Sequence, residues 1–271
     1  MNQILKGKKG IIFGALDPNS IAWKVAEHCH NEGAIFTLTN APIALRLGTI
    51  NQLAESTGSV VIPCDVTSDS DMENLITESM KVLGGKIDFI LHSVGMSLNI
   101  RKGKSYLDLD YDFTHKTLDI SAISLHRLLK TAYKLDAINE WGSVVALTYI
   151  AAQRIFPDYN EMADAKALLE SISRSFGYHY GKAKKVRINT ISQSPTRTTA
   201  GSGVKGFDSF YDYAEALSPL GNASAEDCAQ YCVAMFSDFT KMVTMQNLFH
   251  DGGFSFTGFS SEVMEIGKQN D

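Results

Sequence analysis

The chain reads as a single-domain α/β fold, a doubly wound Rossmann-like parallel sheet of about seven strands. Three observations carry that reading. Short β-type runs alternate with longer amphipathic stretches along all 271 residues. No Pro/Gly/Ser-rich linker divides the chain, so 1–271 is expected to be one dinucleotide-binding unit. The strand ends carry Gly, Asp and Ser in the turns where sheets of this class take ligands, outside the carboxyl edge.

The elements follow from apolar period. A strand near Gly10 to Phe13 leads to a helix from Ser20 to Glu32, a strand from Ala34 to Thr39 and a helix from about Ile43 to Glu55. Strand Ser59 to Pro63, helix Ser70 to Leu83 and strand Ile87 to His92 come next, then a long helix from about Tyr111 to Leu135. Strand Ser143 to Thr148, helix Asn160 to Tyr180 and strand Val186 to Ile191 lead to helix Ala225 to Phe236 and a last strand near Gln246 to His250. Right-handed crossovers between parallel strands place such helices on both faces of the sheet. Two segments break the rhythm, Met96 to Asp110 and Pro195 to Leu220. Both follow a strand's carboxyl end, where long loops commonly form binding lids. Residues 195–220 are therefore expected to be a substrate lid, with Gly201, Gly203 and Gly206 beside Phe207, Phe210, Tyr211 and Tyr213. Residues 255–271 read as a C-terminal tail.

Bulk properties narrow the function. Apolar residues make up 44% and charged residues 20%, which favours a packed globular domain over disorder. A net charge of −5 gives no global attraction to nucleic acid or to anionic membranes. Met1 leads into Asn2 to Lys9 without a signal peptide's apolar core, and no apolar run reaches spanning length, so a soluble cytoplasmic protein is expected. Cys29, Cys64, Cys228 and Cys232 form no Cys-x-x-Cys pair and read as buried reduced thiols. His28, Cys29 and His30 are adjacent on a helix and diverge, so no metal is expected there.

The first strand passes into the first helix through Gly14-Ala15-Leu16-Asp17-Pro18-Asn19-Ser20. A dinucleotide fold needs a tight turn here, with backbone N–H groups and a helix N-terminus facing the pyrophosphate. The usual G-x-G-x-x-G is reduced to Gly14, and Ser20 is placed to cap the helix and offer a hydroxyl to phosphate. By itself this is equally an ordinary capped turn. Further on, Cys64-Asp65-Val66 ends the third strand, where Asp65 and the neighbouring backbone can hold an adenine edge. His92-Ser93-Val94-Gly95 ends the fourth, with Gly95 admitting a ribose or nicotinamide, and Asp251-Gly252-Gly253 closes the last. The second strand ends in Asn40 with neither an acid for the NAD ribose nor an Arg for a 2′-phosphate, which leaves NADH against NADPH open.

Tyr159 and Lys166 lie seven residues apart where the helix from about Asn160 opens. On a helix that is about two turns, or ~10.5 Å of rise, with both side chains on one face. A neutral Tyr hydroxyl can donate to an oxygen that gains negative charge on hydride arrival, while Lys166 holds the ribose hydroxyls and lowers the Tyr pKa. Taken alone, the pair also fits a surface aromatic beside Pro157 and a solvated lysine.

The run Leu147-Thr148-Tyr149-Ile150-Ala151-Ala152-Gln153-Arg154, followed by Pro157-Asp158-Tyr159-Asn160 and Lys166, resembles the signature of the enoyl-acyl-carrier-protein reductases, divergent members of the short-chain dehydrogenase/reductase superfamily. In that family one Tyr ends the fifth strand and a second precedes Lys by seven. Ordinary short-chain dehydrogenases place Tyr and Lys four apart, and the residue four before Lys166 is Met162. The resemblance extends from about Lys6 to Phe254 through Gly14, Ser20-Ile21-Ala22, Asp65-Val66, Ser93-Val94-Gly95, Asp119-Ile120-Ser121, Arg187-Ile188-Asn189 and Asp251-Gly252-Gly253-Phe254.

The resemblance implies NADH-linked reduction of a trans-2-enoyl thioester in fatty-acid elongation, an acidic acyl carrier protein as partner, and a homotetramer. It implies catalytic Tyr159 and Lys166, with Tyr149 beside the acyl chain and a possible proton supplier. It also implies cofactor contacts from Gly14, Ser20, Ile21, Asp65, Val66, Ser93, Val94, Gly95, Lys166, Pro195, Thr196 and Thr198, and an acyl pocket of Met96, Tyr149, Tyr159 and Met162. Two departures stand out: Ser192-Gln193-Ser194-Pro195 replaces the family's Ser-Ala-Gly-Pro, and Met96 replaces a frequent aromatic. A carbonyl or 3-ketoacyl reductase of the same fold is the alternative activity, and a catalytically silent NAD-binding sensor the alternative class. Lys205 is the candidate contact for the acidic carrier, while Lys182, Lys184, Lys185 and Arg187 read as a solvated turn.

Overall fold

The computed structural model describes residues 3–46, 49–199, 201 and 206–268. Seven parallel strands form one sheet in the order β3-β2-β1-β4-β5-β6-β7. They are β1 (Lys9–Phe13), β2 (Ile35–Thr39), β3 (Val60–Val61), β4 (Ile87–His92), β5 (Ile138–Thr148), β6 (Arg187–Gln193) and β7 (Asn247–His250). The order reverses between β1 and β4, where the two halves diverge and a crevice opens at the carboxyl edge.

The strands are apolar on both faces because helices cover both, and neighbouring residues feed opposite cores. Ile12, Leu91 and Val145 pack with α1 (Ile21–Asn31), α3 (Thr49–Thr57) and α10 (Ala225–Phe236). Ile11, Ile90 and Val144 pack with α4 (Asp69–Leu83), α7 (Ser124–Lys134) and α8 (Asn160–Lys184). The four cysteines are free and buried in these cores. Helix starts follow side-chain chemistry: Ser68 accepts the Asp71 N–H at 3.2 Å ahead of α4, and Ser224 with Asp227 closes a reciprocal capping box on α10.

Several expected elements differ in detail. The helix expected from Ile43 to Glu55 is two pieces, α2 (Pro42–Leu45) and α3. The long helix expected from Tyr111 to Leu135 is α6 (Tyr111–Leu118), a π-helical turn over Asp119–Ile123, and α7. β5 begins at Ile138, with a register shift against β4 and Trp141 at φ 64°. Arg187 is not part of a solvated basic turn. It is 2% exposed, and its guanidinium donates to the carbonyls of Met235, Ser237 and Thr240 beyond and at the end of α10, neutralising orphan carbonyls where a cation is favoured.

The two segments that break the rhythm contain helices. Met96 to Asp110 holds α5 (Leu98–Arg101), and 195–220 holds α9 (Phe207–Leu217). The C-terminal tail carries α11 (Ser261–Lys268), tied to α9 by Ser260 Oγ donating to the Ala216 carbonyl at 2.8 Å. Lys205 and Gly203 lie outside the described residues. Among the described residues, no helix is long and apolar enough to cross a membrane.

Candidate active site

The carboxyl edge closes first around Gly14. Its φ is +91°, and a Cβ there would sit 1.9 Å from the Ser93 carbonyl oxygen, so only glycine lets β1 and β4 end this close together. The turn that follows is braced internally. Ser20 occupies the N-cap position of α1 but does not cap it: its hydroxyl donates to the Asp17 carbonyl at 2.8 Å and accepts the Leu16 N–H at 3.2 Å. No side chain caps the start of α1, and an uncapped helix N-terminus is the requirement for an anionic ligand.

Across this turn a cavity of about 650 Å³ is lined by Asn19, Arg197, Thr198, Thr199, Phe207 and Asp208. Its two walls meet where Thr199 Oγ1 donates to Asp17 Oδ2 at 2.6 Å. Arg197 lies over the Tyr211 ring at 4.3 Å and pairs with Asp208 at 2.8 Å, holding the strand-end segment to α9. Beyond β3, Asp65 Oδ1 accepts the Thr67 N–H, and Arg127 donates to the Val66 carbonyl at 2.8 Å while pairing with Asp69 and Asp119. Pro195 and Ser194 are buried, and Thr196 Oγ1 donates to the Ser194 carbonyl.

On the other side of the crevice Gly95 is exposed. A Cβ placed on it would lie 3.8 Å from Met162 Cε, 3.9 Å from Lys166 Nζ and 4.0 Å from Ser121 Oγ. The strand end, α8 and the π turn therefore converge on one point left open by the missing side chain. Lys166 is 8% exposed and donates to the Leu147 carbonyl at 2.8 Å. Burial draws its pKa down to about 8, opposed by Glu170 one turn along the helix. Glu170 in turn accepts from Thr148, Gln153 and Asn247. His92 stays neutral, its pKa pushed down to about 3 by burial and by Lys166.

Tyr159 ends a short 3-10 turn, Pro157–Tyr159, rather than standing inside α8, and Asn160 follows it at φ 44°. Two turns of regular helix do not separate Tyr159 from Lys166. Burial pushes the Tyr159 hydroxyl above the ordinary tyrosine range. The Lys166 ammonium is turned toward the Leu147 carbonyl. Tyr149 is 8% exposed, with ring centroids 5.2 Å from Tyr159, 5.3 Å from Phe156 and 5.8 Å from Phe210 of α9. Its hydroxyl is buried and has no hydrogen-bond partner among the described residues. Burial raises its pKa as well, so both tyrosines are neutral donors.

The enoyl-(acyl carrier protein) reductase family matches residues 14–255, from the glycine of the first turn to the loop after β7. The chain belongs to this family. The reductase is 32% identical over 258 residues to enoyl-[acyl-carrier-protein] reductase [NADH] 2 of Rhizobium meliloti, covering 95% of each chain. It is 31% identical over 260 residues to the enoyl-[acyl-carrier-protein] reductase [NADH] FabI of Bacillus subtilis, covering 95% of this chain and 99% of that one. A crystal structure of the FabI–NADH complex from Alistipes finegoldii is 62% identical, with a TM-score of 0.96 over 97% of the reductase and 93% of that chain.

Of the residues singled out in sequence, Gly14 meets Ser93, and Gly95, Met162 and Lys166 meet at one point. Tyr149 and Tyr159 share an aromatic cluster. Met96 donates its N–H to Ser121 Oγ at 3.0 Å, and Ser121 stands in the π turn. Sequence reasoning passed over Glu161 and Glu170, both buried on α8. They fall on the stripe of Met162, Ala165, Lys166 and Leu169, and acids on an apolar stripe were the available signal.

Proposed function

We propose that the reductase carries out the NADH-dependent reduction of the trans-2 double bond of enoyl-acyl-carrier-protein thioesters in fatty-acid elongation, with Tyr159 and Lys166 catalytic and Tyr149 against the acyl chain. One observation carries the assignment of residues. The Tyr149 hydroxyl is buried beside Tyr159 without a partner among the described residues, in an aromatic cluster closed by α9. A buried hydroxyl left unpaired is costly, and a polar atom of a bound thioester would satisfy it.

The residues present fit a nicotinamide dinucleotide. Gly14, Ser20 and Ile21 frame the turn and helix start for a pyrophosphate, with Thr198 on the facing wall of the cavity. Asp65 and Val66 would take the adenine, and Ser93, Val94, Gly95, Pro195 and Thr196 the ribose and nicotinamide. Bound NADH supplies a hydride to the β-carbon of the enoyl thioester.

Negative charge then develops two carbons away, on the thioester oxygen, and a proton taken up at the α-carbon converts this enolate to the saturated thioester. Tyr159, held neutral by burial, donates a hydrogen bond to that oxygen. Lys166, fixed by Leu147, holds its positive charge beside Gly95 and anchors the ribose. Phe156, Phe210 and Tyr149 exclude water from the acyl chain. Residues 195–220 act as the lid, with Phe210 of α9 as its closing surface.

The acyl carrier protein is the partner in this reading, and the protein works as a cytoplasmic homotetramer. In favour of assembly, Tyr133 and Tyr178 stand exposed on α7 and α8. Light scattering on the purified protein tests the assembly. The reaction itself is tested by NADH oxidation with crotonyl-CoA and with acetoacetyl-CoA, with products checked by mass spectrometry. Reduction of the crotonyl double bond with the ketone left untouched is expected. Faster formation of a hydroxy product from acetoacetyl-CoA would favour a ketoacyl reductase.

A further inference from the structure

Glu161 stands in the first turn of α8, between Tyr159 and Met162, and is 0% exposed. Its Oε1 accepts the Ser97 hydroxyl at 2.6 Å and the Thr117 hydroxyl at 2.9 Å. Its Oε2 is buried and without a partner among the described residues. A carboxyl group in such a place is expensive, and both of its partners are neutral hydroxyls. The local choice works against stability, and such choices cluster where function requires them.

What the carboxylate joins is specific. Ser97 caps α5 by accepting the Ile100 N–H at 3.0 Å, and the preceding Met96 is held by Ser121. Thr117 lies in the last turn of α6, just ahead of the π turn that contains Ser121. Asn160, next to Glu161, donates to the Lys104 carbonyl at 2.7 Å on the same strap. The strap after β4, the π turn and the head of α8 therefore meet at one buried side chain. We infer that Glu161 is a positioning residue that sets the strap bearing Met96 and Ser97 against the head of α8, and so fixes the shape of the acyl pocket. The inference rests on Met96 and Tyr159 bordering that pocket.

Removing the carboxylate leaves the fold a way to adjust. Thr117 Oγ1 also reaches the Phe113 carbonyl at 2.9 Å, and Ser97 still accepts the Ile100 N–H, while the loss of the acceptor for its own O–H is offset by removing the unpaired, buried Oε2. An apolar side chain of similar size is then tolerated by the core, since replacing a buried charge by packed hydrocarbon is often neutral or stabilising. Stability and substrate recognition separate, and the test uses that separation.

The full-length protein and its Glu161→Leu, Glu161→Gln, Ser97→Ala and Met96→Ala variants are compared for kcat and KM with crotonyl-CoA, NADH dissociation constant and Tm. Glu161→Leu is expected to raise KM for the thioester by about fivefold or more, with kcat, NADH affinity and Tm nearly unchanged. Glu161→Gln, whose amide oxygen accepts from the same two hydroxyls, restores KM to within about twofold. Ser97→Ala raises KM, and Glu161→Leu adds little on top of it. An unchanged KM in Glu161→Leu overturns the inference. So does a joint fall of NADH affinity and Tm, which marks a role in the fold at large, and so does failure of Glu161→Gln to restore KM. Met96→Ala tests the pocket separately: if it raises KM while Glu161→Leu does not, the pocket stands and the positioning role falls. If it is silent while Glu161→Leu acts, the reading of Met96 as a pocket residue falls, and the inference that rests on it falls with it.

Discussion

Around Gly14 the ends of β1, β2 and β4 are locked by backbone: the Gly14 N–H donates to the Thr39 carbonyl, and its α-carbon sits against the Ser93 carbonyl. Around α8 the end of β5 and the strap after β4 are held by buried polar side chains instead, with Lys166 on Leu147, Glu170 on Thr148 and Glu161 on Ser97. The first region is set by shape, so any added atom harms it. The second is set by electrostatics, so isosteric changes can strip its chemistry while the fold survives. Cofactor grip and reaction should therefore fail independently.

Tyr159→Phe should separate the two regions most sharply. Losing one preorganised donor at a developing oxyanion typically costs ~10²–10³ in rate. Turnover with crotonyl-CoA should fall by that order while NADH affinity, read by fluorescence titration, stays near wild type. A loss below about tenfold would take the oxyanion role away from Tyr159.

Gly14→Ala attacks the other region. The new methyl meets the Ser93 carbonyl, and φ +91° strains any side chain, so a stability loss of about 2–3 kcal/mol is expected, with weakened NADH binding. Gly58 provides the control. Its φ is +64° but nothing lies within 4 Å of its would-be Cβ, so Gly58→Ala should cost only about 1 kcal/mol and leave NADH binding alone. Equal melting shifts for the two variants would mean that the approach of β1 to β4 can relax.

What the sequence disclosed follows the same division. The strand and helix alternation is a local pattern, and the seven strands took their expected place in one parallel sheet. The stretch 195–220 read as irregular because Gly201, Gly203, Gly206 and Pro219 are turn residues, and the aromatics of α9 are modest helix formers. Its helix is held by Phe210 on Phe156 and by α11, contacts that lie far off in sequence. Arg187 looked solvated beside three lysines, yet it points across the sheet edge to carbonyls near the end of α10. Glu161 and Glu170 were passed over because a charged residue on a helix is usually solvated, and only tertiary packing buries them.

Lys166 links the regions and gives them opposite pH responses. Its folded pKa is about 8, below the unfolded lysine value, so between those values the unfolded chain holds a proton that the folded one has released. Free-enzyme stability from this group rises as pH climbs above about 8. With Lys166 as the proposed ribose anchor, NADH affinity should move the other way as its charge is lost, with a slope approaching about tenfold per pH unit. Lys166→Met should abolish both slopes. A pH-independent NADH affinity between 7 and 10 in the wild type would show that the bound state does not need the charged lysine.

Ser20→Ala has the smallest expected effect and decides which region that hydroxyl serves. It stands at an N-cap without capping, so the usual loss of about 1 kcal/mol for removing a cap does not apply. Its bonds run to Asp17 and Leu16 within the turn, and those groups lie near solvent, where water can replace it. A stability change within about 0.5 kcal/mol is expected, against about 1 kcal/mol for Ser224→Ala, whose hydroxyl does close a capping box on α10. NADH binding tells the rest. If Ser20 only braces the turn, affinity changes by no more than about threefold, since the α1 N–H groups remain in place. A loss beyond about tenfold with unchanged melting would mean that the hydroxyl leaves Asp17 to bond phosphate directly. The cofactor side would then depend on a side-chain contact as the catalytic side does, and the contrast between shape and electrostatics would be confined to the approach of Gly14 to Ser93.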